Sequence, residues 1–179
     1  GILDCNRGRS AYIHEITQLW GLRGQRMVQP GEIATLDPRD VPVLVCGASD
    51  TAEAAGRDLA EYSKRGGAVV ACLPSNDLLQ AVGIKRVDTL NMPLRLRLSC
   101  LNAAGVGGDL LPIVGEAIAY EAVQADDVLA HLSHPGNDLR ETPGIIDVKL
   151  GEGRLIAIAF DLAQSVHLCR QGDPSKAEV

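Results

Sequence analysis

The first 83 residues alternate between short apolar runs and segments with the periodicity of a helix. Two of the runs, Val41–Cys46 and Ala68–Cys72, are almost wholly apolar, which is typical of parallel strands buried on both faces. Two further strands are predicted at 2–4 and 25–28, and three helices at 11–20, 51–64 and 76–82. Strands that alternate with helices in this way indicate a parallel sheet with right-handed crossovers.

The first predicted helix carries an apolar stripe along one side, formed by Ile13, Ile16, Leu19 and Trp20. Residues three or four positions apart share a helix face, so the four side chains form one stripe along the helix.

The pattern changes in residues 84–123, where Leu94, Leu96 and Leu98 alternate with arginines. This period of two predicts a half-exposed strand. A loop is predicted at 102–108 and a second strand at 112–123. We interpret the region as an antiparallel insertion, and edge strands of the same sheet are the alternative.

The last third of the chain returns to apolar runs. Strands are predicted at 127–132, 145–150 and 155–160, the last two joined by a Gly-Glu-Gly turn. A loop is predicted at 133–141 and a final helix from Ala163. The whole pattern predicts one α/β domain over residues 1–179, with a flavodoxin-like, doubly wound and mostly parallel sheet. Because the chain lacks an initiator methionine, we expect it to be part of a larger protein.

Composition excludes several classes of function. The net charge is −6 and aromatic residues make up 3% of the chain, which argues against nucleic-acid binding because neither a basic patch nor stacking rings are available. No apolar run reaches membrane-spanning length, so no membrane association is predicted. The five cysteines follow no metal-binding or disulfide pattern, which favours a reducing, cytoplasmic location. No cofactor and no metal is predicted.

A ligand site is expected where the parallel strands end, since ligands of open α/β sheets bind at the carboxyl ends of strands. The residues at or just after these predicted ends are the candidates for a ligand crevice. They are Asp4, Arg7, Gly47, Ser49, Cys72, Ser75 and Asp161.

The segment ACLPSNDLLQAVG, residues 71–83, resembles the nucleophile segment of class I glutamine amidotransferases, in which a strand ends in Gly-x-Cys-x-Gly before a helix. The chain's final hairpin, at 148–162, resembles the last hairpin of that family. The resemblance implies that Cys72 stands at the nucleophile position. A thiol hydrolase or amidotransferase that uses Cys72 is therefore one possible function.

Departures from the family pattern argue against catalysis. Val70 and Pro74 replace the two glycines, although the strained nucleophile turn requires small neighbours. Phe160 is followed by Asp161 rather than by the family's His-Pro-Glu, and a nearby carboxylate disfavours a thiolate. The three histidines of the second half, at 131, 134 and 167, are not predicted to replace the missing base.

A second resemblance accounts for the missing triad. YSKRGGAVV at 62–70, VLA at 128–130 and the final Gly-x-Gly-Arg resemble non-catalytic amidotransferase-like domains, including the trimerisation domain of bacterial β-galactosidases. This resemblance implies a domain for interaction, oligomerisation or ligand sensing in a larger, carbohydrate-related protein. A protein partner or a homo-oligomer is expected, and the alternative is a small-molecule or sugar-binding module in the same crevice.

Overall fold

A computed structural model describes residues 1–4, 7–48, 55–98, 111–121, 123–124, 127–135 and 137–171. The described helices are α1 (Arg7–Leu19), α2 (Gly56–Lys64), α3 (Asn76–Ala81) and α4 (Leu162–Gln171), with a 3-10 helix at Pro30–Thr35. The described strands are β1 (Ile2–Leu3), β2 (Met27–Val28), β3 (Val43–Cys46), β4 (Ala68–Cys72), β5 (Lys85–Thr89), β6 (Leu94–Leu98), β7 (Leu111–Ile113), β8 (Ile118–Glu121), β9 (Val128–His134), β10 (Asn137–Leu150) and β11 (Gly153–Ile158).

Nine strands form one sheet, in the order β2-β1-β3-β4-β11-β10-β9-β6-β7. Neighbours are parallel from β2 to β11 and antiparallel from β11 to β7. β5 and β8 pair with each other in a separate two-stranded antiparallel sheet. The structure thus confirms the predicted α/β class. It places β6 and β7, both from the region 84–123, at the antiparallel edge of the main sheet.

Helices lie on both faces of the parallel half. On one face, Ile13 of α1 and Ala163 of α4 pack together with Ile2 of the sheet. On the other face, Leu59 of α2 and Leu78 of α3 belong to the main core. Register explains the separation, because Ile2 pairs with Val45 while Leu3 pairs with Cys46, and successive residues of a strand point to opposite faces. None of the described helices is long and apolar enough to span a membrane.

The apolar stripe of α1 is only partly buried. Ile13 and Ile16 are buried, whereas Leu19 is 66% exposed and Trp20, just after the helix, is 59% exposed. The reason is geometric: a helix of 13 residues is about 20 Å long, whereas β1 and β2 have only two residues each. The end of α1 therefore extends past the strands beneath it.

The predicted loop at 133–141 is wrong. β9 continues to His134, and β10 begins at Asn137, which pairs with His134. The two strands form a hairpin whose tip carries polar residues on both sides, so the apolar signal for a strand fades there. For the same reason sequence reasoning missed β5, in which all five residues are exposed. The predicted loop at 102–108 lies outside the described residues.

Candidate functional site

The carboxyl ends of β1, β3, β4 and β11 lie at one edge of the sheet, because these strands are parallel neighbours. Four predicted candidates follow or end these strands and so lie at this edge: Asp4, Gly47, Cys72 and Asp161. Ser75 is the N-cap of α3, and Arg7 begins α1. Ser49 lies outside the described residues.

The polar candidates at this edge hydrogen-bond to the segments that follow their strands. The Asp4 carboxylate accepts hydrogen bonds from the Ser10 hydroxyl at 2.7 Å and from the Gln29 amide at 3.2 Å. Ser75 Oγ accepts one from the backbone N–H of Leu78 at 3.4 Å. Asp161 Oδ1 accepts one from the backbone N–H of Gln164 at 2.9 Å. These bonds are those of helix caps and loop anchors.

Replacing Asp161 with alanine is expected to lower the free energy of unfolding by about 1 to 2 kcal/mol, since the N-cap of α4 is lost. Urea denaturation followed by circular dichroism measures the change. Gln164→Ala is the matched control, because it keeps the backbone N–H that donates to Asp161. Its free energy of unfolding should stay within about 0.5 kcal/mol of wild type. Equal stability of the two variants would show that the cap does not stabilise α4.

The turn after β4 contains the single described residue other than glycine with a left-handed backbone. Leu73 has a φ of +45°. This backbone conformation is energetically unfavourable for any residue that carries a side chain. Its backbone N–H donates a 2.8 Å hydrogen bond to the carbonyl of Ile158 in β11, and its side chain is buried. The sheet and the core therefore hold a leucine at the sharpest point between β4 and α3.

Cys72 precedes this point and has an environment that keeps its thiol neutral. Its side chain is only 3% exposed. Burial raises the pKa of the Cys72 thiol from the 9.0 of an ordinary cysteine to about 12, the backbone N–H of Leu162 acts in the opposite direction, and the charge of Asp161 raises it further. A nucleophilic cysteine needs the reverse shift.

The structure does not bring a histidine base to Cys72 from β9. His131 and His134 lie in that strand, which β11 and β10 separate from β4. At the usual strand spacing, the separation is about 14 Å. His167 of α4 packs its ring edge-to-face on Tyr12 of α1, with centroids 5.1 Å apart. The His167 ring thus makes a packing contact with α1.

Cys72 also lies at the floor of an apolar groove between α1 and α4. The cavity has a volume of about 240 Å³. Its lining residues are Ile13, Ile16, Thr17, Trp20, Leu22, Val45, Val70, Cys72, Leu162, Ala163 and Val166. The Thr17 hydroxyl bonds the carbonyls of Ile13 and His14 within its own helix. The groove thus offers a ligand apolar contacts and one neutral thiol.

Sequence reasoning missed this groove and the buried Tyr120. The ring of Tyr120 is buried, its hydroxyl has no hydrogen-bond partner among the described residues, and burial raises its pKa, with Cys72 adding to the effect. Tyr120 belongs to β8, which is far from Cys72 in sequence, so no local motif connects the two. Within the described ranges, no group of three His, Cys, Asp or Glu side chains is placed to hold a metal ion.

Comparisons with known proteins define the fold. No family model and no curated protein matches the chain. Among solved structures, the exo-β-1,4-mannosidase Op5Man5 from Opitutaceae bacterium strain TAV5 matches with a TM-score of 0.68 and 15% identity. The β-galactosidase from Bacillus circulans sp. alkalophilus matches with a TM-score of 0.60 and 15% identity. The cytoplasmic protein STM1381 from Salmonella typhimurium LT2 matches with a TM-score of 0.59 and 11% identity.

The shares of each chain that are covered distinguish these proteins. The mannosidase match covers 93% of this chain but 28% of the mannosidase, and the galactosidase match covers 90% of this chain but 27% of the galactosidase. The STM1381 match covers 84% of this chain and 75% of that protein. The chain therefore spans little more than a quarter of the two glycosidases. At these identities the likeness shows a shared α/β fold.

Proposed function

We propose that this chain is a non-catalytic, amidotransferase-like domain that serves interaction or oligomerisation in a larger, carbohydrate-related protein. The observation that carries the proposal is the residue at the sharp turn after β4. A nucleophile elbow holds its nucleophile in a strained backbone between a strand and a helix. Here the left-handed residue is Leu73, which has no nucleophilic group.

The residues around Leu73 support placing the nucleophile position of the family pattern at Leu73 rather than at Cys72. Counted from Leu73, the two glycine positions of the Gly-x-Cys-x-Gly pattern fall on Ala71 and Ser75, which are both small. Counted from Cys72, they fall on Val70 and Pro74. Ser75 also packs closely on α2, where a Cβ on Gly56 would lie 2.8 Å from Ser75 Oγ. The shift by one residue places Cys72 in the strand, before the turn, rather than at the elbow.

The sheet order supports the flavodoxin-like part of the proposal. From β2 to β11 the parallel half follows the order 2-1-3-4 and then the last parallel strand, which corresponds to the flavodoxin order 2-1-3-4-5. α1 and α4 cover one face, and α2 and α3 the other. We also propose that residues 1–179 form one domain, because the main sheet joins strands from both ends of the described chain.

The carbohydrate-related part of the proposal comes from the structural neighbours. A mannosidase, three β-galactosidase structures and an α-L-fucosidase share the fold over about a quarter of their length. In each of these proteins the matching region is a minor part of a much longer chain. We infer that this domain likewise works beside other domains, and that their activity on carbohydrate is separate from it.

An assay for amide hydrolysis tests the non-catalytic proposal. Purified protein is incubated with glutamine and with chromogenic amides and esters, and ammonia or chromophore release is measured. We expect no turnover above the blank and no difference between wild type and Cys72→Ala. Turnover that disappears in Cys72→Ala would contradict the proposal and support the thiol hydrolase.

A further inference from the structure

Apolar cavities lie on both sides of α4. The groove described above, of about 240 Å³, lies between α4 and α1. A second cavity of about 250 Å³ lies between α4 and the antiparallel edge of the sheet, where Leu96 of β6 and Ile113 of β7 line it. Leu162 and Val166 of α4 line both cavities. Protein interiors leave few voids larger than a water molecule, so α4 is packed less closely than an ordinary helix.

The side chains that α4 buries are small. Within 162–169, Ala163 and Ser165 are buried, whereas the larger Val166 and Leu168 are only half-buried. On the opposite face of the sheet, α2 buries Leu59 almost completely. Buried apolar area contributes most of the free energy that holds a helix on a sheet. The sheet therefore holds α4 more weakly than it holds α2.

Polar contacts fix the orientation of α4 without holding it strongly. The Asp161 cap bonds the first turn of the helix itself, so this bond persists when the helix leaves the sheet. The Ser165 hydroxyl donates a 2.7 Å hydrogen bond to the carbonyl of Val114 and accepts one of 3.4 Å from its N–H. Water can replace the bonds of Ser165 when the helix moves away, so their net contribution is small.

The position of α4 in the chain allows it to leave the sheet without breaking strand pairing. In the described part of the chain, α2 and α3 each connect two strands, whereas α4 follows β11 and is the last element. A helix between two strands strains both connections when it swings outward. α4 is joined to a described strand at its N-terminal end only, through Asp161.

The start of α4 covers Cys72. Leu162 and Ala163 line the groove whose floor includes Cys72, and the backbone N–H of Leu162 interacts with the Cys72 sulfur. The other wall of the groove is α1, which buries the large side chains of Ile13 and Ile16. α4 is therefore the wall that moves at the lower cost in free energy.

We propose that α4 undocks from the sheet as one unit while the nine-stranded sheet stays folded, and that this opening is the route by which solvent and reagents reach Cys72. Local openings of this kind have free energies below that of global unfolding. The opening uncovers Val45, Val70 and Cys72 together, since all three line the groove. This inference goes beyond the proposed function, because it applies to an inert thiol and to a nucleophile alike.

Hydrogen exchange of the folded protein tests the opening, measured by peptide mass spectrometry at a series of urea concentrations below the unfolding transition. We expect the amides of α4 to be protected at least about a hundredfold less than those of β4 and β11, with little dependence on urea, because a local opening exposes little new surface. Equal protection and equal urea dependence of α4 and β4 would overturn the proposal. Protection that falls gradually towards Gln171 would also overturn it, since that pattern indicates fraying of the helix end.

Alkylation of Cys72 in the same urea series tests the route. Val166→Ile adds one methyl group at the position shared by both cavities and keeps the branched side chain. It should slow α4 exchange and Cys72 alkylation by the same factor, about fourfold, as expected for the burial of one CH₂ group. Ser165→Ala should speed both about fivefold through the loss of its hydrogen bonds.

Gln164→Ala is the matched control, because Gln164 is exposed and lines neither cavity, and it should leave both rates unchanged. Alkylation of Cys72 that requires the urea concentrations at which the sheet unfolds would overturn the route. Variants that change α4 exchange and leave Cys72 alkylation unchanged would do the same. Turnover of an amide would refute the proposed function and leave these rates unaffected.

Discussion

Gly153→Ala is expected to lower the free energy of unfolding by about 3 kcal/mol or more, at the upper end of the cost of overpacking. A Cβ at this position would lie 2.1 Å from the carbonyl oxygen of Gly67 and 2.3 Å from that of Ser63. Both are backbone atoms, so no rotation of a side chain can relieve the contact. To accept the methyl group, the start of β11 would have to move away from the end of α2.

Hydrogen bonds hold the backbone at this junction in place. The N–H of Arg154 donates to the Gly67 carbonyl at 3.2 Å, and the N–H of Gly66 donates to the Ser63 carbonyl at 2.9 Å. The Ser63 hydroxyl donates to the Arg154 carbonyl at 3.3 Å. Moving the backbone to accept a methyl group would weaken several of these bonds at once.

Urea denaturation measures the effect of Gly153→Ala, and Gly31→Ala serves as the control. A Cβ on Gly31 would meet no atom within 4 Å, and its φ lies outside the left-handed region. We expect Gly31→Ala to change the free energy of unfolding by no more than about 0.5 kcal/mol. If both variants were equally stable, the close approach of β11 and α2 would be refuted.

Strong local patterns in the sequence predicted several elements well. The strands at 68–72 and 94–98 have the predicted bounds, because an apolar run after two glycines and a leucine–arginine alternation are distinct signals. The polar tip of the β9–β10 hairpin has no such signal. The exposure of Leu19 and Trp20 could not be predicted for another reason, since periodicity identifies a helix face but not how far the neighbouring sheet extends.

The site was predictable in position but not in detail. The rule that ligand sites lie at the carboxyl ends of parallel strands identified the edge that carries Cys72 and Asp161. It could not identify Leu73, because leucine gives no signal for a positive φ; the sheet and the following helix impose it. Nor could it show that Cys72 is buried beneath α1 and α4, which come from opposite ends of the chain.

Cys72 is expected to resist alkylation strongly. A pKa of about 12 instead of 9.0 reduces the thiolate at neutral pH roughly a thousandfold. The more basic thiolate regains about one order of magnitude through higher nucleophilicity. Burial then limits access to the sulfur, so Cys72 should react at least about a hundredfold more slowly than an exposed cysteine. Cys169 on α4 is free and exposed, and it provides the comparison within the same molecule.

The pH dependence of Cys72 alkylation follows from the raised pKa of its thiol. Burial favours the neutral thiol, so the folded protein holds this proton to a higher pH than an ordinary cysteine does. Cys169 is free and exposed, so reagent reaches its sulfur without unfolding. Cys72 should remain almost unmodified between about pH 7 and pH 10.

The most direct test of the non-catalytic proposal is therefore the alkylation rate of Cys72 in the folded protein as a function of pH. Peptide mass spectrometry measures the modification of each cysteine. We predict slow modification of Cys72 with no plateau below about pH 10, and prompt modification of Cys169. Rapid alkylation of Cys72 at neutral pH, with an apparent pKa for its thiol below the ordinary cysteine value of 9.0, would show an activated nucleophile and contradict a non-catalytic domain.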